Sequence, residues 1–235
     1  MKKFKLTSEF IVDISGVKLF RIKALIEFGN VKAGDLGGYI EKEENLSHMG
    51  DAWVSDDARI SGNAQVFGNA QVFGDAQVFG DAWVFGNARV FGDAWVFGNA
   101  RVSGNAQVFG NARVFGNAWV SGNARVSGDA QVFGDARVFG NAWVSGNARV
   151  FGDAQVSGDA WVSGDKDYAY AHGFGSCNRT TTFFRLKDGD VGVRCGCFYG
   201  TLAQFRDKVC ETHGETKKAQ EYLMLADLME IRFKN

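Results

Sequence analysis

Nineteen consecutive six-residue units run without a gap from Gly50 to Ser163, each of the form Gly-Asn/Asp-Ala-x-Val-Phe/Ser. Only Asp56 breaks the glycine column, and Ile60 alone replaces a valine. So short and strict a period does not build an irregular globular core; it stacks near-identical coils into a β-solenoid. Within a unit, Ala-x-Val reads in-out-in, as strand alternation requires. Gly-Asn/Asp supplies the corner, since glycine accepts positive φ and Asn or Asp bonds to nearby backbone. Three units, 18 residues, close one triangular coil, and nineteen give slightly more than six coils. Proline is absent, so nothing interrupts hydrogen bonding between coils.

The unit resembles the hexapeptide-repeat family at its aliphatic and small positions and departs from it where Phe or Ser stands. That resemblance implies a left-handed parallel β-helix. Bactofilins, polymer-forming cytoskeletal proteins, have similar periodicity with the opposite hand, and the period alone does not choose between them. The expected organisation is mainly β, with three parts. Residues 1–49 form a β-rich cap and degenerate coil, 50–165 the solenoid, and 166–235 a small ββαα module. In the first part, residues 18–26 form a strand candidate, and Val31 to Ile40 lead into the coil, with Leu46 as a further core position. The Arg21-Ile22-x-Ala24 strand with Ala33-Gly34-x-x-Gly37-Gly38-Tyr39-Ile40 resembles the start of enterobacterial hexapeptide-repeat proteins grouped as acetyltransferases. In the last part, residues 179–186 and 191–195 pair as a hairpin. Thr201 and Gln204 form a capping box that opens a helix to about Thr212, ended by Gly214. A second helix over 216–233 buries Tyr222, Leu223, Ala226, Met229 and Phe233. The segments from Asn178 to Phe184, Cys195-Gly196-Cys197-Phe198 and Thr212-His213-Gly214 resemble a module of phage and prophage hexapeptide proteins, which implies a phage or prophage origin.

Residues 18 apart stack, so the sequence sorts the decoration into columns. One corner carries an unbroken run of Phe79, Phe97, Phe115, Phe133 and Phe151, beside a face bearing Trp95, Arg113 and Arg149. These eight residues are the candidate contact surface. A contiguous apolar stripe of this kind marks an interface, whereas the competing reading is a ladder whose rings merely cover one another. Tryptophans interleaved with arginines predict cation–π contacts between coils. The Asn/Asp columns read as hydrogen-bonded ladders with solvated aspartates, and Asp57, Asp75 and Asp93 fall in one of them.

Charge excludes several classes. The net charge is −1. The first 49 residues carry 8 basic and 7 acidic side chains, the units 7 and 10, and the remainder 11 and 10, so neither a DNA mimic nor a whole-protein nucleic-acid binder is expected. No apolar run suits a leader or membrane span, and the four cysteines avoid the repeat. A cytoplasmic protein without a membrane role follows as the expectation. Acyl transfer needs a general-base histidine, but the units contain none and only His48, His172 and His213 exist. Cys195, Cys197, Cys210 and His213, with Cys177 upstream, have zinc-ligand chemistry at an unusual spacing, and buried free thiols are the more ordinary reading. No catalytic residue and no cofactor is expected. The function expected is structural: a shaft that self-associates or binds a partner, such as a host protein. An unusual acyltransferase and a phage inhibitor or ligand sponge are the alternatives.

Overall fold

The computed structural model describes residues 1–175 and 179–234. Every alanine and valine of the units points inward and is buried, forming one continuous core with Ile60. The strands are two or three residues long and pair in parallel with the residue 18 positions on, as Trp95 with Arg113 and Val96 with Val114. Three sheets of nine, seven and six strands form the three sides. Between corners the backbone ladder is unbroken: the N–H groups of Trp95, Phe97 and Asn99 donate to the carbonyls of Ala112, Val114 and Gly116 at 2.9, 3.0 and 2.8 Å.

The glycine column has a steric cause. Gly98 sits at φ +69, and a Cβ there would lie 3.1 Å from the Gly116 nitrogen. Asp56 shows how the one exception survives. It holds φ +56, tolerable for Asp, and its carboxylate accepts the Gly74 N–H at 3.0 Å.

The solenoid reaches further back than the units alone, giving about seven coils. Strands β1 (Phe4–Val12), β2 (Lys18–Ala24) and β3 (Leu36–Ile40) form an antiparallel meander, and β3 stacks in parallel below Arg59–Ile60. Leu46 bridges Val66 in the same way. The 18–26 candidate thus ends at Ala24, and β1 is a strand that the sequence reading did not contain.

Capping the first coil is a matter of its unpaired carbonyls. Asn45, fully buried, donates its amide to the carbonyls of Gly62 and Ala64 at 3.1 and 2.9 Å. Lys3, 1% exposed, does the same for Gly50 and Ala52 at 3.1 and 2.7 Å, with its ammonium 4.6 Å from the Phe28 ring centre. Burial pushes the Lys3 ammonium down to about 8, against a smaller upward pull from Asp51.

The far end is closed by a four-stranded antiparallel sheet: β4 (Tyr168–Phe174), β5 (Arg179–Arg185), β6 (Val191–Cys195) and β7 (Phe198–Thr201), in that order. Two strands were expected; β4 and β7 extend the 179–195 hairpin on either side. Alternation on β5 divides the work. Phe184 faces the solenoid core with Tyr168 and Leu186, while Phe183 faces the helices. Thr182 Oγ1 accepts the Gln155 N–H at 2.9 Å, and the Tyr168 hydroxyl donates to the Arg149 carbonyl. Helix α1 (Leu202–His213) opens on the Thr201–Gln204 capping box and stops at Gly214, φ +55. Helix α2 (Lys217–Phe233) buries Ala219, Tyr222, Ala226, Met229 and Phe233, with Leu223 only half-buried. Among the described residues no helix is long and apolar enough to cross a membrane.

Candidate interaction surface

The candidate contact residues form one connected strip on a single corner and its adjoining face. Phe79, Phe97, Phe115, Phe133 and Phe151 stack with centroids 4.9, 4.9, 4.9 and 5.3 Å apart, and the first four rings are parallel to within 4°. The first four rings are half-buried, because each covers the next; Phe151 at the end of the run is exposed. The ladder does not stop at the last coil: Tyr170 meets Phe151 edge-on at 5.8 Å. Trp95 stands edge-on to Phe79 at 6.1 Å, Arg113 lies over Trp95 at 5.2 Å, and Arg149 lies over Phe133 at 5.6 Å. The strip is therefore a ladder that keeps one outward rim, with cations fixed along its flank.

A diagonal contact, absent from the sequence reading, recurs among the outward tryptophans: four of them lean toward the corner residue 16 positions earlier. Where that residue is Phe, an indole packs edge-on against it, as Trp83 against Phe67. Where it is Ser, the indole N–H donates to the hydroxyl: Trp119 to Ser103 at 3.0 Å and Trp143 to Ser127 at 2.9 Å. The serine positions alone carry no signal for this, since Gln71, Gln77 and Arg137 also fall 16 after a corner serine.

The Asn columns form ladders, the longest running Asn69, Asn87, Asn105, Asn123, Asn141 and Asp159 with every step at 3.1 Å. Asp57, Asp75 and Asp93 are exposed on another corner, and among the described residues no three His, Cys, Asp or Glu side chains are placed to hold a metal. The cysteine reading needs correction. Cys197 and Cys210 are exposed rather than buried, because the β6–β7 turn and the outer side of α1 carry them. Cys195 is half-buried, receiving the Thr181 hydroxyl at 3.2 Å, and Cys177 lies outside the described residues.

His48 is consumed by the cap. Its ring stacks on Phe4 at 4.3 Å, Nδ1 accepts the Lys3 N–H at 3.2 Å, and Nε2 lies 3.6 Å from Glu43. With the ring nitrogens so occupied, His48 has no lone pair left for a substrate proton. His172 Nδ1 bonds Thr180 Oγ1 at 2.9 Å, and His213 lies against Tyr222 at the end of α1.

Four segments of the coils, residues 58–74, 106–122, 130–146 and 142–158, match the family described as YdcK Beta solenoid repeat. The chain is similar to that family over those coils, and the matches support a repeat β-solenoid family. No curated protein matches the chain.

Proposed function

We propose that this protein is a non-catalytic structural element: a rigid rod, closed at both ends, that associates laterally with copies of itself through the Phe79–Phe151 strip. The single observation that carries the reading is the continuity of that strip, five stacked rings flanked by Trp95, Arg113 and Arg149, where the stacked phenylalanines of the other corners run for two or three coils only. End-to-end growth is disfavoured by the Lys3 and Asn45 plugs at one end and the β4–β7 sheet at the other. Lateral growth has no such block. The carboxy-terminal module then serves as an adaptor, and its resemblance to phage proteins supports a phage or prophage source. A cytoplasmic setting fits three thiols that stand free.

The test is light-scattering mass after size exclusion, across a concentration series, for the native chain and for F97S/F115S/F133S. Serine already occupies the equivalent corner at 103, 121, 127 and 145, so the variant keeps its coil. A discrete dimer or trimer that the substitutions dissociate is the expected result. A native monomer, or an unchanged mass in the variant, refutes the strip as an interface. Calorimetry with millimolar acetyl-coenzyme A tests the acyltransferase alternative, and no heat is expected.

A further inference from the structure

Where the carboxy-terminal module meets the last coil, two polar side-chain atoms are buried without a partner. A row of three residues crosses the four-stranded sheet on the side facing the shaft: Thr182 on β5, Arg194 on β6 and Tyr199 on β7, each directly opposite the next. Each stands over one point of that coil. Thr182 takes the Gln155 N–H at 2.9 Å, and the Tyr199 hydroxyl lies directly over Gly158. Arg194, between them, reaches the corner column of Phe139 and Ser157, with its guanidinium 5.4 Å from the Phe139 ring centre. Lower in the same column the ring of Phe85 lies 4.9 Å above that of Phe67. Serine at 157 leaves such a ring position open, and the arginine enters it from above.

Three hydrogen-bond donors meet in this slot. Ser157 is 2% exposed and its Oγ has no partner; nor has the buried Nε of Arg194. The other buried corner serines, Ser103 and Ser127, each receive an indole N–H from 16 positions on, but 16 positions after Ser157 stands Gly173. The Ser157 backbone N–H is stranded as well. Lower on the shaft the same group donates to the valine carbonyl 17 positions on, as Phe139 does to Val156 at 3.0 Å. For Ser157 that position is Phe174, in β4, and among the described residues its N–H meets no backbone carbonyl. Nor does any carboxylate among the described residues answer these donors. Arg194 enters no ion pair, and Asp159, the nearest acid along the chain, accepts the Asn141 amide at 3.1 Å.

We infer that this slot binds a halide ion, with chloride the common occupant. The Ser157 hydroxyl can turn to donate, so its O–H, its N–H and the Arg194 Nε–H present three protons to one point. Buried donors left unmade are costly, and a partly buried guanidinium favours a counter-charge. A water could accept from two of the three, and its own protons would then face donors. A slot one coil high, with the Phe139 ring below and the guanidinium above, admits a single atom rather than a carboxylate or a phosphate. Arg194 is only half-buried, which gives the ion a way in. Because the shaft supplies two of the donors and the module the third, the ion fastens one to the other.

Thermal unfolding of the full-length protein, followed by circular dichroism at constant ionic strength, tests the site with sodium chloride, bromide and gluconate. The midpoint in halide minus that in gluconate is expected to be about 3–5 °C larger in the native chain than in Ser157→Ala or Arg194→Gln, once halide is tenfold over its dissociation constant. Arg125→Gln removes an exposed guanidinium where Gln107 is native one coil below, and it is expected to behave as the native chain does. Anomalous diffraction from native crystals grown in bromide reads the slot without a variant, and a peak within hydrogen-bond reach of Ser157 and Arg194 Nε is expected. Should either site variant fail to fold, that map alone decides. An empty slot in the map overturns the inference. So does a halide difference that is the same in the native chain and both site variants, or that Arg125→Gln loses equally, since either reduces it to bulk salt action.

Discussion

Lys3 offers a test of how the first coil is closed, and its sign follows from linkage. In the folded chain burial lowers its pKa from 10.5 to about 8. Between those values the unfolded chain holds a proton that the folded chain has released, so stability rises with pH across that window. Below pH 8 both states are protonated and the penalty is fully present. Taking the two values literally, raising the pH from 7 to 9.5 stabilises the fold by about 2 kcal/mol. The neutral amine can still donate to the Gly50 and Ala52 carbonyls, so the plug persists while the cost of burying a charge disappears. The assay is urea denaturation of the native chain and of Lys3→Met at pH 7, 8, 9 and 9.5, followed by intrinsic fluorescence. Methionine fills the site without a titrating group and leaves the two carbonyls unpaired, so the variant is less stable but flat across the window. Equal slopes in the two proteins would show that Lys3 does not titrate there. A native slope of opposite sign would mean that the ammonium is stabilised in its site, contradicting burial as the dominant influence.

Other expectations address the coil and its two ends. Asn45→Ala strips both carbonyl contacts at 2.9 and 3.1 Å and costs about 2–4 kcal/mol, with hydrogen exchange quickening first in the coil that holds Trp53. Gly98→Ala, at positive φ and 3.1 Å from the next coil, costs about 2 kcal/mol; Gly164→Ala, with nothing within 4 Å, is neutral in the same thermal scan. Phe183→Ala and Phe184→Ala each cost about 3–5 kcal/mol but divide by face. The first melts the helical circular-dichroism signal ahead of the sheet signal; the second exposes the last coil and speeds exchange at Gln155, and transitions that coincide in both variants would contradict the division.

How legible all this was depended on how many constraints each residue met. In the coil every position answers to two: in or out along the strand, and stacking 18 residues away. The columns, the buried Ala and Val and the Asn ladders followed from the period for that reason. The ends lack the second constraint. The alternation of β1 is interrupted at Thr7–Glu9 by a register shift against β2, which hides the strand. Lys3 reads as one of several basic residues near the start, and only the open edge above it explains its burial. β4 and β7 are short and flank a hairpin that looked complete. The capping box at Thr201, by contrast, was readable because its hydrogen bonds are local. At the surface, the sequence could give which residues share a column but not their lean, which depends on rotamer and corner size. The diagonal pairing of Trp119 with Ser103 emerged only from coordinates.

That lean bears on function. Tryptophan is held at both kinds of corner: serine corners at 103 and 127 receive indole N–H groups, and phenylalanine corners at 67 and 79 receive indole edges. The rod thereby holds large side chains rigid while leaving each face a different chemistry. One face couples an aromatic ladder to Arg113 and Arg149, suited to a dry contact between copies. Another alternates Trp with Arg between an asparagine ladder and a corner that carries Asp81, Asp135 and Asp153. The two surfaces adjoin at the corner that Phe97 and Phe115 occupy, so a strip-to-strip dimer would set two six-stranded faces on either side of one seam.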